Sequence, residues 1–377
     1  MPSRPALLIL SFSAIHADAR VLRQVRLFAD TYEVTTCGYG PAPEGVAGHV
    51  RIPDELIYWR KDRTLLLQRR FAAVYRRNAV VSYLWDRLQR DHFDVVLADD
   101  VDTVPLALSL RPRGGVHADL HEYAPRQNED VLRWRVAVAP YMRWLVRTYV
   151  TRADSVTTVG PGIADEYRRQ FGVDAQVVTN AAPYAEKQAT PVTDPIRLVH
   201  SGNAMSGRGI IELARAVEDV DANVTLDLYL VPNDASYLAE IAELASRSTR
   251  VRLHAPVPYA QLVTTLNAHD VGVHVLPPVS FNNYWALPNK VFDYVQARLG
   301  LLVGPSPEMA RMVREHGLGE VTEDFSSGAV AAALARLTPG RVAEFKAAST
   351  RAAHELSAER QVEVWARAVD ALAARSR

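Results

Sequence analysis

Residues 196–210, which read IRLVHSGNAMSGRGI, decide the fold of this chain. An apolar run of strand length leads into a glycine-rich loop, and a helical pattern begins near Ile210. The loop glycines are Gly202, Gly207 and Gly209. In open parallel sheets, ligands bind where such loops enter helices, because glycine lets backbone N–H groups approach a phosphate. Arg208 adds a cation at the helix entrance, so the stretch predicts a diphosphate site, with an ordinary glycine-rich turn as the alternative.

Apolar runs of strand length alternate with helical segments on both sides of this stretch, which predicts parallel sheets built from βα units. Towards the C-terminus the predicted strands are residues 196–201, 224–231, 251–254, 271–276, 299–303 and 320–322. Towards the N-terminus they are residues 6–11, 33–37, 94–98, 116–120, 155–159 and 176–179. Between the two sets, residues 180–195 (NAAPYAEKQATPVTDP) contain three prolines and no apolar period, as expected for a linker between two domains.

The composition excludes several classes of protein. The chain has 377 residues, 48% of them apolar, with 43 basic against 43 acidic residues. This balance excludes a disordered chain and a generally cationic nucleic-acid binder, so no nucleic-acid partner is expected. Cys37 is the single cysteine and cannot form an internal disulfide, and no apolar stretch approaches the roughly 20 residues of a membrane span. We therefore expect a cytoplasmic protein.

Positive charge is nevertheless concentrated in the first half of the chain. Residues 59–90 contain nine basic and two acidic residues interleaved with apolar and aromatic ones, and residues 131–152 contain five arginines among four aromatic residues. Both stretches have the length of long helices. This segregation favours a peripheral contact with an anionic membrane, at its inner face, whereas the alternative places these apolar residues in the core.

A second informative stretch, residues 280–294 (SFNNYWALPNKVFDY), follows a predicted strand of the second half. Pro288 suits a first helical turn, so Asn289 and Lys290 are expected at a helix N-terminus with Asp293 one turn further on. A cation and a carboxylate at this spacing could hold a phosphate and two ribose hydroxyls. A solvated ion pair between Lys290 and Asp293 is the alternative.

Histidines follow two predicted strands of the first half. His121 and Glu122 stand at one strand end, where a histidine can exchange hydrogen bonds with sugar hydroxyls or phosphate near neutral pH. His16 follows the first strand, where it lines the ligand cleft or faces solvent. His200 and His274 lie inside apolar runs, and we expect both to be hydrogen-bonded core histidines.

Together these features resemble the GT-B glycosyltransferases, particularly retaining enzymes of glycosyltransferase family 4. The matching pieces are residues 18–21 (DARV), 119–122 (DLHE), 201–209 (SGNAMSGRG) and 287–294 (LPNKVFDY). The resemblance implies an α/β protein with two doubly wound, Rossmann-like domains facing across a cleft. Residues 1–185 would bind the acceptor, residues 196–357 would bind the nucleotide sugar, and a C-terminal helix over residues 358–377 would pack back on the first domain.

The resemblance also implies roles for individual residues. Catalysis would involve His121, Arg208 and Lys290. The donor would be bound by Gly202, Asn203, Gly207, Gly209, Trp285, Asn289 and Asp293, and the acceptor side would include His16 and Glu122. Many members of the family have two glutamates with seven residues between them and an arginine after the first glycine of the loop. These positions are here Trp285, Asp293 and Asn203, so the sugar-recognition role carries over less well than the ribose role.

The implied reaction is transfer of a glycosyl unit from a nucleotide sugar, with a UDP-sugar expected, to a hydroxyl group with retention at the anomeric carbon. The acceptor class is a carbohydrate, a lipid-linked molecule or a small molecule. No Asp-x-Asp motif occurs among the cleft candidates, so we expect no metal and no cofactor beyond the nucleotide sugar as co-substrate. Two alternatives remain. One is a nucleotide-sugar 2-epimerase of the same fold, in which His121 and Glu122 act as acid and base, and the other is a non-catalytic, membrane-associated sugar-binding protein.

Overall fold

The computed structural model describes residues 4–376, which form two compact units. Unit 1 contains the described residues up to Thr179, together with Ser280–Asn282 and the described residues from Val362 onward. Unit 2 contains Asn180–Val279 and Asn283–Gln361.

Unit 1 is built on a seven-stranded sheet in which all strand pairs are parallel. Its strands are β1 (Ala6–Ala14), β2 (Glu33–Tyr39), β3 (Gly48–Ile52), β4 (Val95–Asp99), β5 (Gly115–Leu120), β6 (Ser155–Thr158) and β7 (Ala175–Val177). Their order is β3-β2-β1-β4-β5-β6-β7. The strands are added to one side of β1 as far as β3 and to its other side from β4 onward. In doubly wound folds, ligands bind at the carboxyl ends of the strands where the strand order changes sides in this way.

Unit 2 is built on a six-stranded parallel sheet of the same kind. Its strands are β8 (Ile196–Ala204), β9 (Val224–Pro232), β10 (Val251–His254), β11 (Val271–His274), β12 (Gly300–Val303) and β13 (Gly319–Val321), in the order β10-β9-β8-β11-β12-β13. The predicted strands are therefore confirmed in both units, with ends that differ by a few residues.

The α-helices connect these strands. In chain order they are α1 (Ala19–Phe28), α2 (Arg63–Leu67), α3 (Phe71–Arg76), α4 (Ala79–Leu88), α5 (Val104–Ser109), α6 (Leu132–Thr148), α7 (Pro161–Phe171), α8 (Ile210–Asp219), α9 (Ala235–Arg247), α10 (Tyr259–Leu266), α11 (Phe281–Tyr284), α12 (Asn289–Gln296), α13 (Pro307–His316), α14 (Ser327–Leu334), α15 (Pro339–Ala352), α16 (Ala358–Gln361) and α17 (Glu363–Ala373). Short 3₁₀ turns occupy Ile15–Ala17, Ala124–Arg126, Val150–Arg152 and Ala374–Ser376. Across residues 4–376, none of the helices is both long and apolar enough to cross a membrane.

The central strands are buried on both faces, which is why they read as continuous apolar runs. Leu7 to Leu10 of β1 and Val95 to Ala98 of β4 are 0% exposed. Helices cover both faces of an all-parallel sheet, so no polar face is needed. Strand β3 was missed because it lies at the sheet edge and only Ile52 in it is fully buried.

The stretch predicted as a linker, residues 180–195, is part of unit 2. It contains neither helix nor strand, and side chains of unit 2 satisfy its backbone. Gln296 accepts a hydrogen bond from the Ala185 N–H at 3.0 Å, and Arg298 donates to the Ala185 carbonyl at 2.6 Å. An aperiodic segment can thus be ordered by side-chain hydrogen bonds that its own sequence does not reveal.

Two helical predictions need correction. Residues 59–90 form three short helices instead of one long helix, because Arg69 adopts a left-handed φ of 55° and Asn78 starts a new helix as an N-cap. The C-terminal stretch is also interrupted, at Val362, between α16 and α17. The boundary between the two units falls at this interruption, and α17 belongs to unit 1, where Trp365 is fully buried.

Candidate functional site

The glycine loop of unit 2 has a backbone conformation that favours glycine. Gly202 and Gly209 have φ values of 137° and 70°, and Gly209 is the N-cap of α8. A Cβ atom at Gly202 would lie 2.6 Å from Lys290 Nζ, and one at Gly209 would lie 2.9 Å from the Val275 carbonyl oxygen. The positive φ favours glycine at both positions, and at Gly209 the close backbone contact adds a second requirement.

A pocket of about 580 Å³ opens beside this loop, within unit 2. It is lined by Ser201, Gly202, Asn203, Arg208, Tyr229, Val231, Pro256, Val257, Tyr259, Leu262, Pro288, Asn289, Lys290 and Asp293. Six predicted donor-site or catalytic residues therefore meet there: Gly202, Asn203, Arg208, Asn289, Lys290 and Asp293. Pro288 is the N-cap of α12 and not its first helical residue, which leaves Asn289 and Lys290 in the first turn, as predicted.

The electrostatics of the pocket favour an anion. Desolvation of the Lys290 ammonium, with repulsion from Arg208, lowers the pKa of Lys290 to about 7, although Asp293 opposes the shift. Within residues 4–376, the Arg208 guanidinium has no ion-pair partner. Two cations close to each other and to a helix N-terminus repel one another, and a bound diphosphate would offset this repulsion.

One part of the pocket lining is apolar and aromatic. Tyr229, Val257, Tyr259 and Leu262 lie on it. The Tyr259 hydroxyl donates to Asp293 Oδ1 at 3.5 Å, and Asp293 is a buried residue of the pocket lining. An apolar wall next to a carboxylate and two cations is suited to a ligand that has a flat ring, hydroxyl groups and phosphates.

Within residues 4–376, three residues predicted to bind the donor do not line this pocket: Gly207, Gly209 and Trp285. Gly207 adopts a φ of 79° in the loop, and Gly209 supports the loop as the cap of α8. The Trp285 ring packs edge-on against Tyr284, with ring centroids 5.2 Å apart. Gly207 and Gly209 therefore shape the backbone around the pocket.

His200 and His274 are buried as predicted, but the expectation that both are hydrogen-bonded is wrong. His200 Nδ1 pairs with the Val273 carbonyl at 2.8 Å, whereas His200 Nε2 and both ring nitrogens of His274 have no partner within residues 4–376. Burial, reinforced by the charge of Lys290, lowers the pKa of His200 to about 3 and holds that of His274 well below its ordinary value. The two rings are therefore neutral beneath the cationic loop.

In unit 1, His121 directly follows β5 and is surrounded by carboxylates. Its Nε2 lies 3.2 Å from Asp99 Oδ1 and 3.6 Å from Asp119 Oδ2, and its Nδ1 lies 3.5 Å from Asp100 Oδ2. Burial alone would lower the pKa of His121, but the three carboxylates outweigh burial and hold the pKa well above its ordinary value. His121 is therefore an imidazolium at neutral pH, held in a fixed orientation.

A buried polar network beneath His121 was not predicted as part of the site. Arg20 donates two hydrogen bonds of 2.7 Å to Asp119, and its guanidinium also reaches the Val178 carbonyl at 2.9 Å. Gln24 donates to Asp99 and Asp119 at 2.8 and 2.9 Å. The signals in the sequence were the pieces DARV and DLHE, and Asp18 of the first piece is the N-cap of α1, the helix that carries Arg20.

The network also bears on metal binding. Asp99, Asp119 and His121 offer ligand atoms that lie within 4.8 Å of one another. However, Arg20 and Gln24 already donate to these carboxylates, and burial raises the pKa of Asp99 to about 7. The charges of Arg20 and of the protonated His121 thus balance the carboxylates, a role that a bound cation would otherwise take.

The two residues predicted for the acceptor side lie at the same edge of the unit 1 sheet as His121. Glu122 accepts hydrogen bonds from Gln127 and, at 3.0 Å, from Asn282. Burial, with the charge of Asp100, raises the pKa of Glu122 to about 7. His16 is exposed in the 3₁₀ turn after β1, and its ring lies against Gly40.

No protein-family model and no curated protein sequence matches the chain. Several solved structures resemble it over their whole length. An α,α-trehalose-phosphate synthase (UDP-forming) from Burkholderia vietnamiensis has a TM-score of 0.70 at 14% identity, covering 98% of both chains. Anabaena HepE in complex with UDP and glucose has a TM-score of 0.70 at 13% identity, covering 97% of this chain and 100% of that one.

A sucrose-phosphate synthase from Thermosynechococcus elongatus has a TM-score of 0.68 at 13% identity, covering 98% of this chain and 100% of that one. At such low identity these likenesses bear on the fold alone. They confirm the predicted fold class, an α/β protein with two Rossmann-like domains of the GT-B type.

Proposed function

We propose that the protein is a retaining glycosyltransferase that transfers a sugar from a UDP-sugar to a hydroxyl-bearing acceptor. The observation that carries this proposal is the pocket of unit 2, where Arg208 and Lys290 meet the glycine loop and Asp293 lies one helical turn away. The fold is shared with HepE, which was solved with UDP and glucose, and with an E. coli structure described as trehalose-6-phosphate bound with UDP-2-fluoro glucose. These ligands make UDP the first nucleotide to test.

In this proposal the pocket stabilises a leaving nucleoside diphosphate. The bond from the anomeric carbon to the phosphate oxygen breaks, the bond to the acceptor oxygen forms, and the acceptor proton passes to the departing phosphate. Negative charge grows on the diphosphate in the transition state, where Arg208, Lys290 and the N-terminus of α8 would meet it. These groups supply positive charge from the protein itself, so the proposal includes no metal cofactor.

His121 is proposed to hold a hydroxyl or phosphate oxygen of the donor sugar as a hydrogen-bond donor. An imidazolium fixed by Asp99, Asp100 and Asp119 can donate but has no free lone pair to accept a proton. This protonation state supports electrostatic positioning by His121 and not general-base catalysis, which a 2-epimerase would require of it. Incubation with a UDP-sugar and no acceptor tests this point, since formation of an isomeric nucleotide sugar would contradict the proposal.

Asp293→Ala is expected to weaken UDP binding by about 30- to 150-fold, because two charge-assisted hydrogen bonds from ribose hydroxyls are lost. Calorimetric titration of UDP into the wild type and the variant measures this change. Asp221→Ala is the control, since Asp221 is an exposed carboxylate of the same unit that lies outside the pocket. If Asp293→Ala binds UDP as tightly as the wild type does, Asp293 does not bind the ribose hydroxyls.

We also propose that unit 1 contacts an anionic membrane through a surface formed by α2, the first turns of α6 and Trp59. Trp59, Leu67, Leu132 and Val136 are 72%, 71%, 61% and 63% exposed. Exposed arginines lie within two residues of each of these four in the sequence, and α2 packs against α6. Exposed apolar side chains within a cationic rim are the combination that binds an anionic lipid surface.

Flotation with vesicles tests this contact. The wild type is expected to float at low salt with vesicles that contain about one third phosphatidylglycerol. It should be released at high salt, since salt screens the attraction between the arginines and the anionic lipid. Trp59→Ser with Leu67→Ser should reduce flotation several-fold. Val279→Ser, which changes an apolar residue of unit 2 that is 57% exposed, should leave flotation unchanged. Equal flotation of all variants would overturn the proposal.

A further inference from the structure

A second large cavity lies in unit 1, and no residue predicted for donor or acceptor binding lines it. Its volume is about 690 Å³, within the range of small-molecule sites. It is lined by Tyr75, Arg76, Trp85, Asp86, Gln89, Pro105, Leu108, Ser109, Leu110, Arg111, Tyr149 and Arg152. A smaller cavity of about 250 Å³ shares Arg76, Trp85 and Asp86 with it, so the concavity continues along α4.

The charge of this cavity is not neutralised by the protein. The guanidinium groups of Arg76, Arg111 and Arg152 make no ion pair or hydrogen bond with any residue between 4 and 376. The single carboxylate on the wall belongs to Asp86. By contrast, Arg168 and Arg169 of the same unit pair with neighbouring carboxylates. Three unpaired guanidinium groups around one concavity form a site for a multiply charged anion.

Arg111 occupies a position that favours glycine. It follows Leu110, the C-cap of α5, and has a left-handed φ of 50°. Glycine is the usual residue at this position after a helix, because it has no Cβ to clash with the preceding backbone. The chain therefore places a cation at the cavity where glycine would be less strained.

The aromatic part of the wall is held in place by hydrogen bonds and ring stacking. Trp85 is 37% exposed and lines both cavities, so its ring is accessible to a ligand. The Tyr75 hydroxyl donates to the Asp102 carbonyl and accepts from the Leu106 N–H, each at 3.1 Å. Tyr75 also stacks on Tyr149, with ring centroids 6.5 Å apart. A wall held in this way is preorganised, which lowers the entropic cost of binding.

We propose that this cavity binds a phosphorylated small molecule, with its phosphoryl groups on Arg76, Arg111 and Arg152 and its ring or apolar body against Trp85. Planar guanidinium groups match phosphate oxygens in pairs, and the indole ring offers a stacking face. The phosphoryl group comes either from a soluble phosphate ester or from a phospholipid headgroup. The site is separate from the unit 2 pocket and does not depend on the function proposed for that pocket.

Calorimetric titration with inorganic pyrophosphate tests the proposal, using the Arg208→Gln protein as the starting point to weaken binding in unit 2. This protein is expected to retain pyrophosphate binding. Adding Arg76→Gln and Arg152→Gln should lower the affinity by about 10-fold or more for each lost guanidinium. Arg90→Gln, at an exposed arginine outside the cavity, is the matched control and should bind as the starting protein does.

Arg111→Gly separates a binding role from a structural one. Glycine relieves the left-handed backbone, so the melting temperature should not fall while pyrophosphate affinity drops. Competition with phosphatidylcholine vesicles containing phosphatidic acid distinguishes the sources. Displacement of pyrophosphate indicates a lipid headgroup, and its absence indicates a soluble ester. Absence of pyrophosphate binding in Arg208→Gln, or equal affinity in every cavity variant, would overturn the proposal.

Discussion

Replacing Lys290 by alanine is expected to lower turnover by about 100- to 1000-fold, the loss typical of removing one preorganised group that stabilises developing charge. Lys290 lies in the first turn of α12, and its Nζ atom is close to Gly202. Arg208 lines the same pocket. Phosphate charge grows as the glycosyl bond breaks, so the interaction is stronger in the transition state than with the bound donor. The loss should therefore appear mainly in kcat and less in KM.

The pH dependence gives an independent test of the same residue. The Lys290 pKa of about 7 means that the ammonium of the free protein is lost as the pH rises through neutrality. A bound diphosphate favours the charged form and raises this pKa. Because kcat/KM reports the free protein and kcat the complex, kcat/KM should fall about tenfold per pH unit above pH 7, while kcat falls only at higher pH.

Lys290→Arg and Lys187→Ala are the informative variants. Arginine stays protonated throughout this range, so Lys290→Arg should abolish the decline of kcat/KM above pH 7. Lys187 belongs to the same unit but does not line the pocket, so Lys187→Ala should behave as the wild type does. A wild-type kcat in Lys290→Ala would show that the ammonium takes no part in catalysis, whereas a kcat/KM that is flat between about pH 7 and 9 would contradict the lowered pKa of Lys290.

The unit 2 pocket could be predicted from sequence because its parts are local. A strand, a glycine loop and a helix entrance lie within residues 196–210, and Asn289, Lys290 and Asp293 lie within five residues of one helix. Parallel strands bring such loops to one sheet edge, so the two stretches meet without further information. The spacing of these residues in the sequence therefore predicts which of them line the pocket.

The network of unit 1 could not be predicted in this way. Arg20 and Asp119 are 99 residues apart, and Trp365, whose ring lies 4.7 Å from the Arg20 guanidinium, is further still along the chain. Each residue has an ordinary local reading, since an arginine in a first helical turn looks exposed and an aspartate at a strand end looks solvated. Only the tertiary fold shows that both are buried.

Arg20→Met is expected to lower the free energy of unfolding of unit 1 by about 3–5 kcal/mol, because it leaves the Asp119 carboxylate buried without its partner. Arg20 and Asp119 are 5% and 0% exposed in their side chains, so water cannot replace the lost bonds. Denaturant unfolding followed by tryptophan fluorescence measures the change. Arg26→Met, at an exposed arginine of the same helix, should cost less than about 1 kcal/mol.

The double variant Arg20→Met with Asp119→Leu decides what the buried pair is for. Removing both charges abolishes the uncompensated carboxylate, so most of the lost stability should return. Asp119 is also one of the three carboxylates around His121, and Arg20 fixes its orientation. If the pair positions His121, the double variant should be stable but should lose turnover to a degree similar to His121→Ala.

A double variant with both stability and turnover restored would assign the pair to folding alone. A double variant as unstable as Arg20→Met would mean that the cost arises from lost packing against Trp365, not from the unpaired charge.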